Sequence, residues 1–148
     1  MKYSFGFSWV GFLIVSLPML PNFFYFIFPN TFSSVEIEGK HVLLDILEHG
    51  SQFIFIALLI FVVTSNNISI SSSYVTSMVV ILLSYYVLWI LLFAGYKNLL
   101  ILICLAVFPV IYFILAEIWL RHFIAIIPTA FFGIVHIIIT YIDFYSSH

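Results

Sequence analysis

The residues able to do chemistry in this sequence are few, and five of them, His41, Asp45, Glu48, His49 and Gln52, share one otherwise apolar stretch. At about 100° per helical residue they fall within an arc of roughly 100°, so a helix through the stretch carries all five on one face. Ionisable groups inside a bilayer are costly unless paired, hydrated or neutralised, which predicts that this stripe faces the interior of a helical bundle. Asn22 and His136 are polar residues within two other apolar runs.

Three chemistries suit such a set. Glu48 beside a histidine is a proton-handling pair. His41, Asp45 and His49, at i, i+4 and i+8, offer metal ligands on one face, with Glu48 or His136 to complete them, although the HxxxDxxxH spacing matches no strong zinc signature and no metal is assigned. A pocket lined by these groups also suits a small amphipathic molecule or a lipid headgroup. A purely structural reading stands beside them, with His41 and Asp45 at the headgroup level and Glu48, His49 and His136 bonding helix to helix.

The elements that position these residues follow from composition. The chain has 148 residues, 65% apolar, 20% aromatic and 7% charged, with a mean hydropathy of +1.28, whereas soluble domains carry roughly 25% charged residues. Four Lys/Arg and six Asp/Glu cannot cover the surface that a soluble domain of this size exposes. Lipid is therefore the expected solvent. A net charge of −2 with no basic run excludes nucleic-acid binding as a function class. The single cysteine, Cys104, lies in an apolar run, which excludes a CxxC motif and an intramolecular disulfide.

A spanning helix needs about 20 mostly apolar residues. Polar punctuation predicts five of them, near 5–28, 41–64, 74–95, 98–120 and 122–144, in one all-α bundle domain. The first is read as a retained span rather than a cleaved signal, because no small-x-small site follows it. Pro29-Asn30 is the expected stop of the first span, with loops at Pro29–Lys40 and Ser65–Ser73 and tight turns at Gly95–Asn98 and Leu120–His122. Short links make successive helices antiparallel neighbours. Pro18, Pro21, Pro109 and Pro128 predict kinks, their freed carbonyls satisfied by neighbouring helices. Continuous apolar runs exclude a membrane barrel.

Positive charge divides evenly between the two faces, so Lys2 before the first span sets the expected orientation, with a cytoplasmic N-terminus. The Asn67-Ile68-Ser69 sequon then faces the cytoplasm. Rise per residue puts Glu48 and His49 about 10 Å inside the face at which the second span begins, Asn22 about 9 Å and His136 about 12 Å from that same face. Tyr85, Tyr86 and Trp89 approach this level. Asn22, Asp45, Glu48, His49, Gln52 and His136 are accordingly the candidate binding residues. Glu117 and Arg121 are expected to form an i, i+4 interfacial ion pair. Tyr3, Trp9, Tyr74, Tyr141 and Tyr145 are expected in aromatic belts, Asp143 at the bilayer edge, and Ala130 and Gly133 at a close helix approach.

Several segments carry a family resemblance: Leu20-Pro21-Asn22 followed by Tyr25, Leu47-Glu48 with Gly50, Tyr86–Trp89, Phe108-Pro109 with Phe113, and His136-Ile137-Ile138 followed by Tyr141. With them the chain resembles an uncharacterised family of small multi-pass membrane proteins of Gram-positive (Firmicutes-type) bacteria, in which Gln or Arg often stands near position 49. The resemblance implies a bacterial cytoplasmic membrane and brings no activity or cofactor with it. The functions weighed are a small-molecule or lipid binder, an accessory or immunity-type subunit acting as a homo-oligomer or beside a membrane partner, and an enzyme or transporter subunit with a Glu/His proton site. A monomeric transporter is disfavoured by the lack of an inverted repeat.

Overall fold

The computed structural model describes residues 2–27, 41–64 and 72–146. Their backbone forms a short strand β1 (Tyr3–Phe5), helices α1 (Trp9–Ile27) and α2 (Val42–Phe61), a strand β2 (Val62–Thr64), and helices α3 (Ser72–Phe93), α4 (Leu99–Trp119) and α5 (Phe123–Ser146). All five helices are long and apolar enough to cross a bilayer, as expected of an all-α membrane bundle. Large apolar side chains such as Phe26, Leu43, Phe53, Leu100 and Ile127 are exposed on its outside, where in a membrane lipid rather than water meets them.

The first two helices are shorter than the sequence suggests. Residues 5–8 and 62–64 read as apolar helix, yet β1 and β2 pair antiparallel, with Tyr3 opposite Thr64 and Phe5 opposite Val62. The physical reason lies at the end of α2, where the last carbonyls have no intrahelical donor. Gly6 N–H donates to Phe61 O at 3.0 Å and Ser8 N–H to Ile60 O at 2.7 Å, so the incoming chain satisfies them. Ser8 then caps α1, its hydroxyl accepting from Gly11 N–H at 3.0 Å. The expected stop at Pro29-Asn30, the loop at 29–40, and residues 65–71 with the sequon lie outside the described residues.

The two tight turns are both Schellman motifs. Gly95, at φ 94°, ends α3 with its N–H on Leu92 O and Tyr96 N–H on Leu91 O. Arg121, at φ 57°, ends α4 with its N–H on Ile118 O and His122 N–H on Glu117 O. Asn98 caps α4 by accepting from Ile101 N–H at 2.8 Å. These turns make α3, α4 and α5 successive antiparallel neighbours, and α5 packs along α2.

Pro18 and Pro21 lie inside α1, Pro109 inside α4 and Pro128 inside α5. At Pro21 the repair of the freed carbonyl is explicit. Pro21 has no N–H for Leu17 O, and the Tyr86 hydroxyl of α3 donates to that oxygen at 2.6 Å. Two glycines set close approaches. A Cβ on Gly11 would collide with the Leu59 carbonyl of α2, and one on Gly133 would come within 2.7 Å of Val110 of α4. The Gly133 approach was expected from the sequence, whereas the one at Gly11 was not.

Candidate functional site

Two buried clusters form the core. The larger includes Ile14, Phe55, Leu59, Met78, Val110, Phe113, Ala116 and Phe132. The smaller gathers Tyr85, Trp89, Leu92 and Leu105. Between them is a cavity of about 380 Å³ to which all five helices contribute, within the roughly 300–1,000 Å³ typical of small-molecule sites.

From α1 the cavity receives Pro18, Met19, Asn22 and Tyr25; from α2, Glu48 and Gln52; from α3, Tyr85, Trp89 and Leu92. The α4 wall is apolar, from Leu102 to Phe113, and α5 supplies Phe132, His136 and Thr140. Phe113 and Phe132 line the deep end, with Phe55 packed against both at ring-centroid distances of 5.0 and 5.5 Å. The polar side chains lie toward the face at which α2 begins and α1 and α5 end, the level at which the sequence places them.

At its polar wall the Nδ1 of His136 contacts Glu48 Oε1. The bond joins α5 to α2, and Glu48 is only 13% exposed. The imidazole stacks on Phe132, with centroids 5.2 Å apart and planes 13° from parallel, and one turn on the Thr140 hydroxyl donates to the His136 backbone carbonyl at 2.8 Å. Across the cavity Tyr85 lies beside Asn22 and Trp89. Trp89 is 9% exposed, and its Nε1 makes no hydrogen bond of good geometry among the described residues.

Four of the six candidate residues, Asn22, Glu48, Gln52 and His136, line this cavity together. Asp45 and His49 do not. Both are exposed, and His49 Nδ1 donates to the Asp45 carbonyl at 2.8 Å, one turn back on its own helix. The cause is angular, because only the Glu48–Gln52 edge of the stripe points at the bundle axis. Among the described residues no three His, Cys, Asp or Glu side chains come together as a metal site. Tyr86 also leaves the polar level, its hydroxyl being engaged at Leu17.

Asp143 lies in the last turn of α5, within electrostatic range of His41, Asp45 and Glu48. Tyr25 and Thr140 are site residues that the sequence reading missed. Thr140 was legible as the next member, at i+4, of the face that carries Thr129, Phe132 and His136.

A second polar group sits near the opposite face. Glu117 is fully buried, and its Oε1 accepts from the Thr129 hydroxyl, while Oε2 has no hydrogen-bond partner among the described residues. The expected ion pair with Arg121 is absent, because α4 stops at Trp119 and the left-handed backbone at Arg121 turns that side chain outward while Glu117 points into the bundle. Below it, His122 is buried in the turn, hydrogen-bonded to the Val62 backbone and edge-on to Tyr3 at 5.8 Å. Burial holds its pKa below the usual 6.5, and the Val62 bond partly opposes that shift.

Fold and cavity together define a polytopic α-helical membrane protein with a polar chamber at the centre of its bundle. Compared with protein-family models, with curated proteins and with solved structures, the chain has no match in any of the three.

Proposed function

We propose that this protein binds one small amphipathic molecule or lipid in its central chamber. The observation that carries the reading is the cavity itself, which joins a polar wall at Glu48 and His136 to an apolar depth at Phe113 and Phe132. A layer that served only to hold the helices together would have no reason to leave about 380 Å³ at the point where the helices meet. A second reading rests on the direct Glu48–His136 contact. A carboxylate bonded to an imidazole can hand a proton between them, as an enzyme or transporter subunit requires. We place the protein in a bacterial cytoplasmic membrane with its N-terminus inside, on the family resemblance and on Lys2.

Native mass spectrometry tests the binding. Released from its membrane into mild detergent, the protein is expected to retain one adduct of defined mass. Ala106→Phe, which fills the chamber from α4, should remove it while the fold, checked by circular dichroism, persists. An adduct retained equally by the folded Ala106→Phe variant, or none retained by the native chain, defeats the proposal.

A further inference from the structure

We infer that the chamber selects a cation, a substituted ammonium group carrying a short apolar tail. The inference rests on the binding reading above and adds the chemical class of the ligand. Among the described residues the lining contains one carboxylate, Glu48, and no Lys or Arg. The charge these residues carry is therefore that of an acid bonded to an imidazole, and an anionic headgroup would meet no cationic partner among them other than a protonated His136. Lys97, in the α3–α4 turn at the same membrane face, is exposed and does not line the chamber.

The wall across from Glu48 is aromatic. Trp89 has Tyr25 at 5.8 Å and Tyr85 at 6.3 Å between ring centroids. The Tyr85 and Trp89 planes stand at 87° to one another, which makes a corner with two differently oriented rings. Ring faces carry partial negative charge, and a corner of rings that shares a cavity with a carboxylate suits quaternary ammonium groups. Such a cation is weakly hydrated and needs no hydrogen bonds, so it suits a wall of rings better than a primary amine does. Trp89 adds a supporting sign of a ligand, since its buried N–H makes no hydrogen bond of good geometry among the described residues although the Tyr85 hydroxyl is a neighbour, and an ester, ether or hydroxyl oxygen near the cation would supply a better acceptor.

Approach favours the same sign. Asp45 and Asp143 lie on α2 and α5 with Glu48 deeper between them, and His41 stands beside them. These three carboxylates lie within electrostatic range of one another and only Glu48 lines the chamber, so they give that side of the bundle a negative potential, which a protonated His41 lessens, for an approaching cation. The apolar α4 wall and the Phe113–Phe132 floor then receive the tail.

The test uses Trp89 as its reporter, in full-length protein carrying Trp9→Phe and Trp119→Phe in lipid nanodiscs. Octyltrimethylammonium, octyl phosphate and octanol are titrated separately. The expected result is a saturable change in Trp89 fluorescence with octyltrimethylammonium alone, its apparent affinity reduced about tenfold or more by Glu48→Gln, which keeps the side-chain shape, and severalfold by Tyr25→Leu. Saturable binding of octanol or octyl phosphate as tight as that of the cation, or a cation affinity untouched by Glu48→Gln, overturns the charge assignment and leaves the binding reading standing. Featureless, non-saturable partitioning of all three overturns both.

Discussion

Tyr86 supplies the most quantitative test of how this bundle is held. Its hydroxyl donates at 2.6 Å to Leu17 O, the carbonyl that Pro21 leaves without an intrahelical donor. Tyr86→Phe removes the interhelical donor to that oxygen. Leu17 is 38% exposed, so in water a solvent molecule would take over and the loss would be small. Hydrocarbon offers no such replacement. Interhelical hydrogen bonds in membrane proteins average about 0.6 kcal/mol and reach about 1.7, because the acceptor usually finds another partner. Leu17 O has none within its helix, which puts the expected cost near 1.5 kcal/mol, about tenfold in the folding equilibrium. Pro21→Ala restores an N–H at i+4, and in that background Tyr86→Phe should cost about 0.5 kcal/mol or less. Reversible unfolding in mixed micelles titrated with sodium dodecyl sulfate gives the four free energies of the cycle. An equal cost of Tyr86→Phe with and without the Pro21→Ala substitution would refute the carbonyl-repair argument.

Gly11→Ala should destabilise the same bundle by about 2 kcal/mol or more, since its methyl meets the Leu59 backbone. Gly50→Ala, with nothing within 4 Å of the new Cβ, should be neutral or stabilising by up to about 1 kcal/mol; reversing that order in melting experiments would disprove the packing. Thr129→Val removes the donor to the buried Glu117 carboxyl and should cost about 1–3 kcal/mol, whereas Thr129→Ser keeps the hydroxyl and most of the stability. At His122 the folded pKa lies below the usual 6.5, so as pH falls the unfolded chain takes up the proton first. Stability is then full above about pH 6.5 and declines below it until the folded form also titrates. His122→Gln should flatten that segment of the melting-temperature profile, and a slope unchanged by the substitution would assign the titration elsewhere.

The apolar runs made five spans readable, because a length of continuous hydrophobicity is a property of local sequence alone. Depth was readable too: counting residues from the span ends put Glu48, His136 and Asn22 at one level, and all three line one chamber. Azimuth was harder. The 100° arc of the α2 stripe is wider than the sector that faces the axis, so Asp45 and His49 fall outside the chamber although they share its helix face. The backbone of β1 and β2 escaped the reading because Phe5, Phe7, Val62 and Val63 are as apolar as any helix interior. What decides their conformation is a pairing between the chain's first residues and the end of α2, which local periodicity does not encode. Glu117 was misread for a related reason. An i, i+4 spacing is meaningful only while the helix continues, and a left-handed residue at 121 ends it without a glycine to announce the turn.

The clasp between β1 and β2 also works as a depth gauge. Along a strand each residue advances the chain by about 3.3 Å, and pairing Tyr3 with Thr64 fixes how far α1 rides up or down beside α2. A slip of two residues, the smallest that keeps each side chain on its own side of the ribbon, would displace Asn22 by roughly 7 Å relative to Glu48. The alignment of the chamber's walls near one membrane face is thus calibrated by three residue pairs near the other.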